Sequence, residues 1–259
     1  MLEGITTTQW LLGALVALLA GVAKTGVPGI GILIVPVMAM VFPARESVGA
    51  LLLLLITADI FAVAFYRQHA DLEILKRLIP WVVLGMIVGG FLLFWMSRLS
   101  VGRDVMSPFI GIFVLLMLAL QLVRSRWEEK IQPHGPVGTR LVGIASGVST
   151  TVANAGGPVM GIYFTAMQLD KARFMGTGAW YFFLLNVTKL PVYLVLNALA
   201  PEQPMLTPQH AAFDACLIPA VATGALLGRW VLQKLSQRLF EGLVLGLAAV
   251  AAVQLIIPR

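Results

Sequence analysis

Charge is what this sequence has least of. Asp, Glu, Lys and Arg make up 12% of 259 residues, whereas 59% are apolar. A soluble domain carries about a quarter charged residues, so the apolar surplus excludes a water-soluble globule and calls for lipid around it. Cysteine is nearly absent: Cys216 stands alone, which excludes an intrachain disulfide. Its place in an apolar run is that of an inert core residue. The three histidines, His69, His134 and His210, fall in loops or at span ends without metal-ligand spacing. No nucleophile–base pair, P-loop or dinucleotide fingerprint is found, which argues against an enzyme or an ATP-driven pump. No metal and no cofactor are expected. The net charge of +6 comes from basic residues scattered through short loops. It marks topology, not nucleic acid. The stretch Met1 to Gln9 holds no Lys or Arg, so the first apolar segment is expected in the mature chain and not in a cleaved leader.

What is present is long apolar runs. Six suffice for a span of about 20 residues: 48–66, 75–96, 105–123, 174–199, 211–230 and 240–257. Two further stretches, about 9–42 and 139–167, are interrupted by Gly/Pro motifs. The first motif runs from Gly21 through Lys24, Thr25, Gly26, Pro28 and Gly29 to Gly31; the second runs from Ser149 through Thr150, Thr151, Asn154, Gly156 and Gly157 to Pro158. Each stretch is too long for one span, and its arms are short for a span each. Each is therefore expected to be a broken helix.

The chain also matches itself. Gly21-Val22 aligns with Gly147-Val148, Gly49 with Gly176, Asp59 with Asn186 and Tyr66 with Tyr193. Further on, Leu78-Ile79-Pro80 aligns with Leu217-Ile218-Pro219, and Gly85 and Gly89 align with Gly224 and Gly228. An ordered series of this kind predicts an internal duplication: a first repeat over 1–123, a linker over 124–138 and a second repeat over 139–259. If each broken helix is a hairpin returning to its starting side, loop Lys and Arg divide twelve to four between the two faces. The positive-inside rule then makes the basic face cytoplasmic and places both termini outside. Each half crosses an odd number of times, so the halves are inverted. The expected fold is an all-α polytopic membrane protein, each inverted repeat being a broken-helix hairpin plus three transmembrane helices.

A helix broken inside a membrane leaves main-chain groups that must be buried in protein or line a wet cavity. Helices restarting at Pro28 and Pro158 would turn free N–H groups and positive dipole ends toward an anion. Gly26, Gly29, Gly156 and Gly157 would let it approach the backbone. Lys24 is a charge at membrane depth, read as an anion ligand with Thr25 beside it; pairing with a carboxylate is the bland alternative. Thr150, Thr151 and Asn154 are neutral donors in the second break, or local caps. Asp59, Asn186 and Lys189 lie well inside spans, as an ion pair with Lys189 or a proton-coupling group. Lys24, Asp59 and Lys189 sum to +1, which favours an anionic passenger. The GxxxG patterns at Gly85–Gly89 and Gly224–Gly228 mark close helix packing within the chain or between two copies, so a homodimer stays open.

These residues resemble the sulfite exporter TauE/SafE family. The resemblance is carried by Gly21-Val22-Ala23-Lys24-Thr25-Gly26 with Gly29-Ile30-Gly31 and Val35-Pro36. Arg67-Gln68-His69-Ala70-Asp71 and Asn154-Ala155-Gly156-Gly157-Pro158 add to it. It covers nearly the whole chain. It implies a bacterial inner-membrane permease exporting sulfite or an organosulfonate. The sulfur comes from the resemblance; the residues themselves say only small anion. The function expected is a secondary transporter working by alternating access, with the anion between the two broken-helix tips. The alternatives are an anion channel or a permease for another small organic anion.

Overall fold

A computed structural model describes residues 2, 4–26, 30–99, 106–127 and 135–231, with 246, 249–250, 252–253 and 256 beyond them. The described residues form helices without strands. In order these are α1 (Thr7–Thr25), α2 (Gly31–Val41), α3 (Ala44–Tyr66), a 3-10 turn (Arg67–His69), α4 (Leu72–Leu99), α5 (Met106–Trp127), α6 (Gly135–Ala153), α7 (Gly157–Ala166), α8 (Lys171–Leu199) and α9 (Pro208–Val231). Most of the last expected span, 240–257, lies outside the described residues. Five helices are long and apolar enough to cross a membrane: α1, α3, α4, α8 and α9. Helix starts are set locally. Thr6 and Gln9 form a capping box for α1, and Asp170 accepts from the N–H groups of Ala172 and Arg173 at α8.

Both broken stretches fold back on themselves. The Gln9 amide at the start of α1 donates to the Val41 carbonyl at the end of α2, 2.6 Å away. In the second stretch the Thr139 and Tyr163 hydroxyls meet at 3.1 Å. The arms are unequal, and the first is longer than expected. With 19 residues, α1 is about 28 Å long and nearly crosses a hydrocarbon core of about 30 Å. With 11 residues, α2 reaches about half that depth. The breaks are also shorter than the motifs suggested. Helix α1 continues through Gly21 to Thr25, and α6 through Ser149 to Ala153.

The reason is that the early glycines are contact surfaces, not breakers. A Cβ on Gly21 would collide with the main chain of Val221, Gly224 and Ala225 on α9; one on Gly147 would collide with Val82, Gly85 and Met86 on α4. The partner glycines answer in kind. Gly224 meets Leu18 and Gly228 meets Val22 and Thr25, while Gly85 meets Ile144 and Gly89 meets Val148 and Thr151. Both GxxxG patterns thus pack within one chain, and close approach substitutes for the apolar driving force that lipid removes. Cys216 is corrected as well: it is exposed on α9, not in the core, because the buried face of that helix follows Phe213, Leu217, Val221 and Ala225.

Further contacts repeat between the halves. The Tyr66 hydroxyl donates to the Thr25 carbonyl (2.6 Å), and the Tyr193 hydroxyl to the Thr151 carbonyl (2.8 Å). Gly49 of α3 lies against Met205 in the loop before α9, and Gly176 of α8 against Tyr66, His69 and Ala70 before α4. Helices α3 and α8 run antiparallel: Arg45 at the start of α3 donates to the Leu196 carbonyl near the end of α8. Asp59 and Asn186 meet near the middle.

A side chain at either central glycine must push two helices apart, at a cost of about 1–3 kcal/mol. Gly21→Val and Gly147→Val are expected to lower the thermal midpoint in detergent, each more than Gly31→Val, whose added Cβ would meet only Ala23 at 3.9 Å. Equal midpoints for all three variants would contradict the packing role.

Candidate functional site

The folding-back brings the two breaks toward one cavity of about 100 Å³. Its walls are Ala23 and Lys24 of α1, Gly31, Ile32 and Ile34 of α2, and Leu55 of α3. From the other half come Thr150, Asn154 and Ala155, the α7 face from Gly157 to Phe164, and the α8 face from Phe174 to Asn186. The restarting ends of α2 (Gly31) and α7 (Gly157, Pro158) both border it. Pro158 stands in the first turn of α7, where its missing N–H costs nothing.

Among the described residues, Lys24 is the one charged residue on this wall. Its ammonium lies 2.8 Å from Asp59 Oδ1 and 4.1 Å from the centre of the Phe182 ring. The Lys24 side chain is 14% exposed and that of Asp59 is 0% exposed, so the carboxylate sits behind the lysine. Asp59 Oδ2 accepts from the Asn186 amide at 2.5 Å. Lys24 is therefore paired to a carboxylate and at the same time borders the cavity. Removing one partner of such a buried pair strands the other charge, typically at about 3–5 kcal/mol.

Lys189 does not pair directly with Asp59. Its ammonium donates to the Thr150 carbonyl (3.2 Å), the Thr150 hydroxyl (3.3 Å) and Asn154 Oδ1 (2.5 Å). It is fully buried and serves the end of α6, where the helix dipole presents negative charge. Asn154 turns the chain there with φ of 51°, a left-handed conformation that Asn tolerates better than most residues. Its N–H closes on the Thr150 carbonyl, and its amide nitrogen donates to the Val48 carbonyl of α3.

Of the expected site residues, Lys24, Thr150, Asn154, Gly157, Pro158 and Asn186 come together on the cavity wall. Thr25 is turned away: its hydroxyl donates to the Gly21 and Ala225 carbonyls at 3.0 and 2.7 Å, because Gly228 lets α9 approach that closely. Thr151 likewise faces α4 at Gly89. Gly26 and Gly156 are buried at the two breaks. Pro28 and Gly29 lie outside the described residues. Sequence reading missed the aromatic side of the cavity, Phe164, Phe174 and Phe182 with Met175 and Gly178. A signal was available: 174, 178, 182 and 186 recur every fourth residue and share one face of α8.

That face is held from the adjoining loop. Asp71 accepts from the Glu73 and Ile74 N–H groups, which caps α4, and its own N–H donates to the Thr177 hydroxyl. Arg173 at the start of α8 pairs with the Asp71 carboxylate. The Ile74 N–H first, then Arg173, hold the Asp71 carboxyl below the usual carboxylate range. A depressed folded value means stability present above the unfolded Asp value of about 4 and lost as pH falls through the folded one. Thermal stability is thus expected to drop on acidification below about pH 4, and Asp71→Asn should make that drop shallower. An identical acid profile for the variant would contradict the assignment.

A bundle of apolar helices around a mostly apolar cavity, with a lysine at its edge and two helix N-termini on its walls, defines a multi-pass membrane protein. Among the described residues no group of His, Cys, Asp and Glu is placed to hold a metal ion. The family model "Sulfite exporter TauE/SafE" matches residues 13–255, and the chain belongs to that family. This makes it a membrane permease of a family that transports sulfur-containing anions. No curated protein and no solved structure matches it.

Proposed function

We propose that the chain is a secondary transporter that exports sulfite or an organosulfonate across the bacterial inner membrane by alternating access. The observation that carries this reading is Lys24: a cation on the wall of a cavity that two broken helices enclose. An anion beside it would meet the ammonium, the Thr150 hydroxyl, the Asn186 amide and the restarting ends of α2 and α7. Charge-assisted donors and helix N-termini are the usual equipment for an oxyanion. The other wall is apolar, formed by Phe164, Phe174, Phe182, Met175 and Ile32. Sulfite has no carbon to place there, whereas an organosulfonate would set its tail against that wall. The apolar surface therefore favours the organosulfonate.

Alternating access is supported by the contacts that recur between the halves, at Tyr66 and Tyr193, Gly21 and Gly147, and Gly49 and Gly176. We read them as two inverted repeats, 1–123 and 139–259, joined by the 124–138 linker. Antiparallel α3 and α8 fit that reading, and rocking of one repeat on the other would exchange the open side. In this structure the cavity runs along α8 from Phe174 to Asn186. Beyond Asn186 the Tyr193 hydroxyl donates to the Thr151 carbonyl and Tyr193 is fully buried, while the Asn154 amide donates to the Val48 carbonyl. With the basic loops cytoplasmic and both termini outside, this is an inward-facing arrangement.

The test is counterflow in proteoliposomes loaded with sulfite or with ethanesulfonate. The native protein is expected to exchange both, ethanesulfonate with the lower half-saturation concentration. Lys24→Ala should lose at least about tenfold in exchange, equivalent to about 1.4 kcal/mol of anion binding. Unchanged exchange in Lys24→Ala at equal reconstitution would remove Lys24 from the site. Conductance without counterflow would make the protein a channel.

A further inference from the structure

We propose that each anion travels with one proton, carried on Asp59. The inference rests on the cavity's being the anion site. One ammonium has two claimants. Lys24 is bound to Asp59 Oδ1, yet it is the cation that an anion in the cavity would take as partner. When Lys24 turns to the anion, Asp59 keeps the Asn186 amide on Oδ2 and has an uncovered Oδ1. The carboxylate is completely buried. An ionised carboxylate in such a place without a cation is costly and is relieved by neutralisation. A proton from cavity water forms the O–H bond on Oδ1 as the Lys24 contact breaks. On release the O–H bond breaks, the proton returns to water, and Lys24 closes again on Asp59.

Among the described residues, the other charges around Asp59 do not supply a replacement cation. Helix α2 carries none, and α5 carries none before Arg124. On α9, His210 pairs with Glu46, Asp214 is itself acidic, and Arg229 lies over the Phe65 ring at the far end of α3. On α8, Lys189 is the rival. Its three hydrogen bonds hold it to Thr150 and Asn154. Reaching Asp59 would uncover the end of α6 and undo the bond that fixes the second break. Loaded and empty states then differ by one anion and one proton moving together, so a monovalent anion crosses without net charge, and export runs when the outward anion gradient exceeds the inward proton gradient.

Ethanesulfonate separates protein-borne from substrate-borne protons, since it stays ionised across the working range whereas sulfite titrates within it. Native protein in proteoliposomes, with the potential clamped at zero by valinomycin and equal potassium, receives a gradient of one pH unit. Ethanesulfonate should accumulate about tenfold on the alkaline side, the ratio one proton per anion can sustain. At equal pH, an imposed potential should leave the initial rate unchanged. Accumulation that follows the potential and ignores the pH gradient would overturn the coupling and leave the anion site standing. No flux of ethanesulfonate or sulfite would overturn the anion site and the coupling with it. In Asp59→Asn, whatever flux remains should stop following the pH gradient and begin to follow the potential. Because the native protein alone decides between the first two results, the proposal does not depend on the variant folding.

Discussion

The ion pair between Lys24 and Asp59 is the contact on which the rest of the arrangement turns. A lysine at membrane depth is tolerated because a carboxylate lies 2.8 Å away. The carboxylate is tolerated because the lysine and the Asn186 amide cover both of its oxygens. To bring them together, α1 must run nearly the full depth of the bilayer before it breaks, and α3 and α8 must cross at Asp59 and Asn186. Both conditions are met by glycine. Gly21 seats α1 directly on the α9 main chain, and Gly49 and Gly176 seat α3 and α8 on the loops that lead to their neighbours.

The contacts repeat between the halves, but the chemistry does not. Where the first half has Lys24 and Asp59, the second has Thr150 and Asn186 at the matching positions. Its positive charge is Lys189, which is spent on the end of α6. One break therefore carries a cation that can change partner, and the other carries a cation locked into structure. In a transporter that rocks, the locked break would serve as scaffold and the other as the moving contact.

Much of this was legible in the sequence, and the failures have physical causes. Apolar runs and paired Gly/Pro motifs were enough for the helices and for both breaks, because composition and backbone chemistry act locally. The exact place of each break was not. Gly21 looks like a helix breaker in one dimension, and only a neighbouring backbone makes it a packing site. Thr25 and Thr151 looked like ligands because they adjoin Lys24 and Thr150. Successive residues on a helix point about 100° apart, so one of each pair faces α9 or α4. The aromatic wall of α8 was hidden among apolar residues suited equally to lipid, though its four-residue spacing up to Asn186 was readable. The partner of Lys24 could not be chosen from sequence, since Asp59 was equally open to Lys189.

The central claim is that anion binding takes Lys24 from Asp59 and leaves that carboxyl protonated. Infrared difference spectroscopy of the reconstituted protein, with and without ethanesulfonate, observes this directly. The account requires a protonated-carboxyl stretch that appears on anion binding, shifts in heavy water and is missing in Asp59→Asn. A difference spectrum without that band, from protein shown to bind the anion, would mean that Asp59 keeps its charge and that the ion pair is structural.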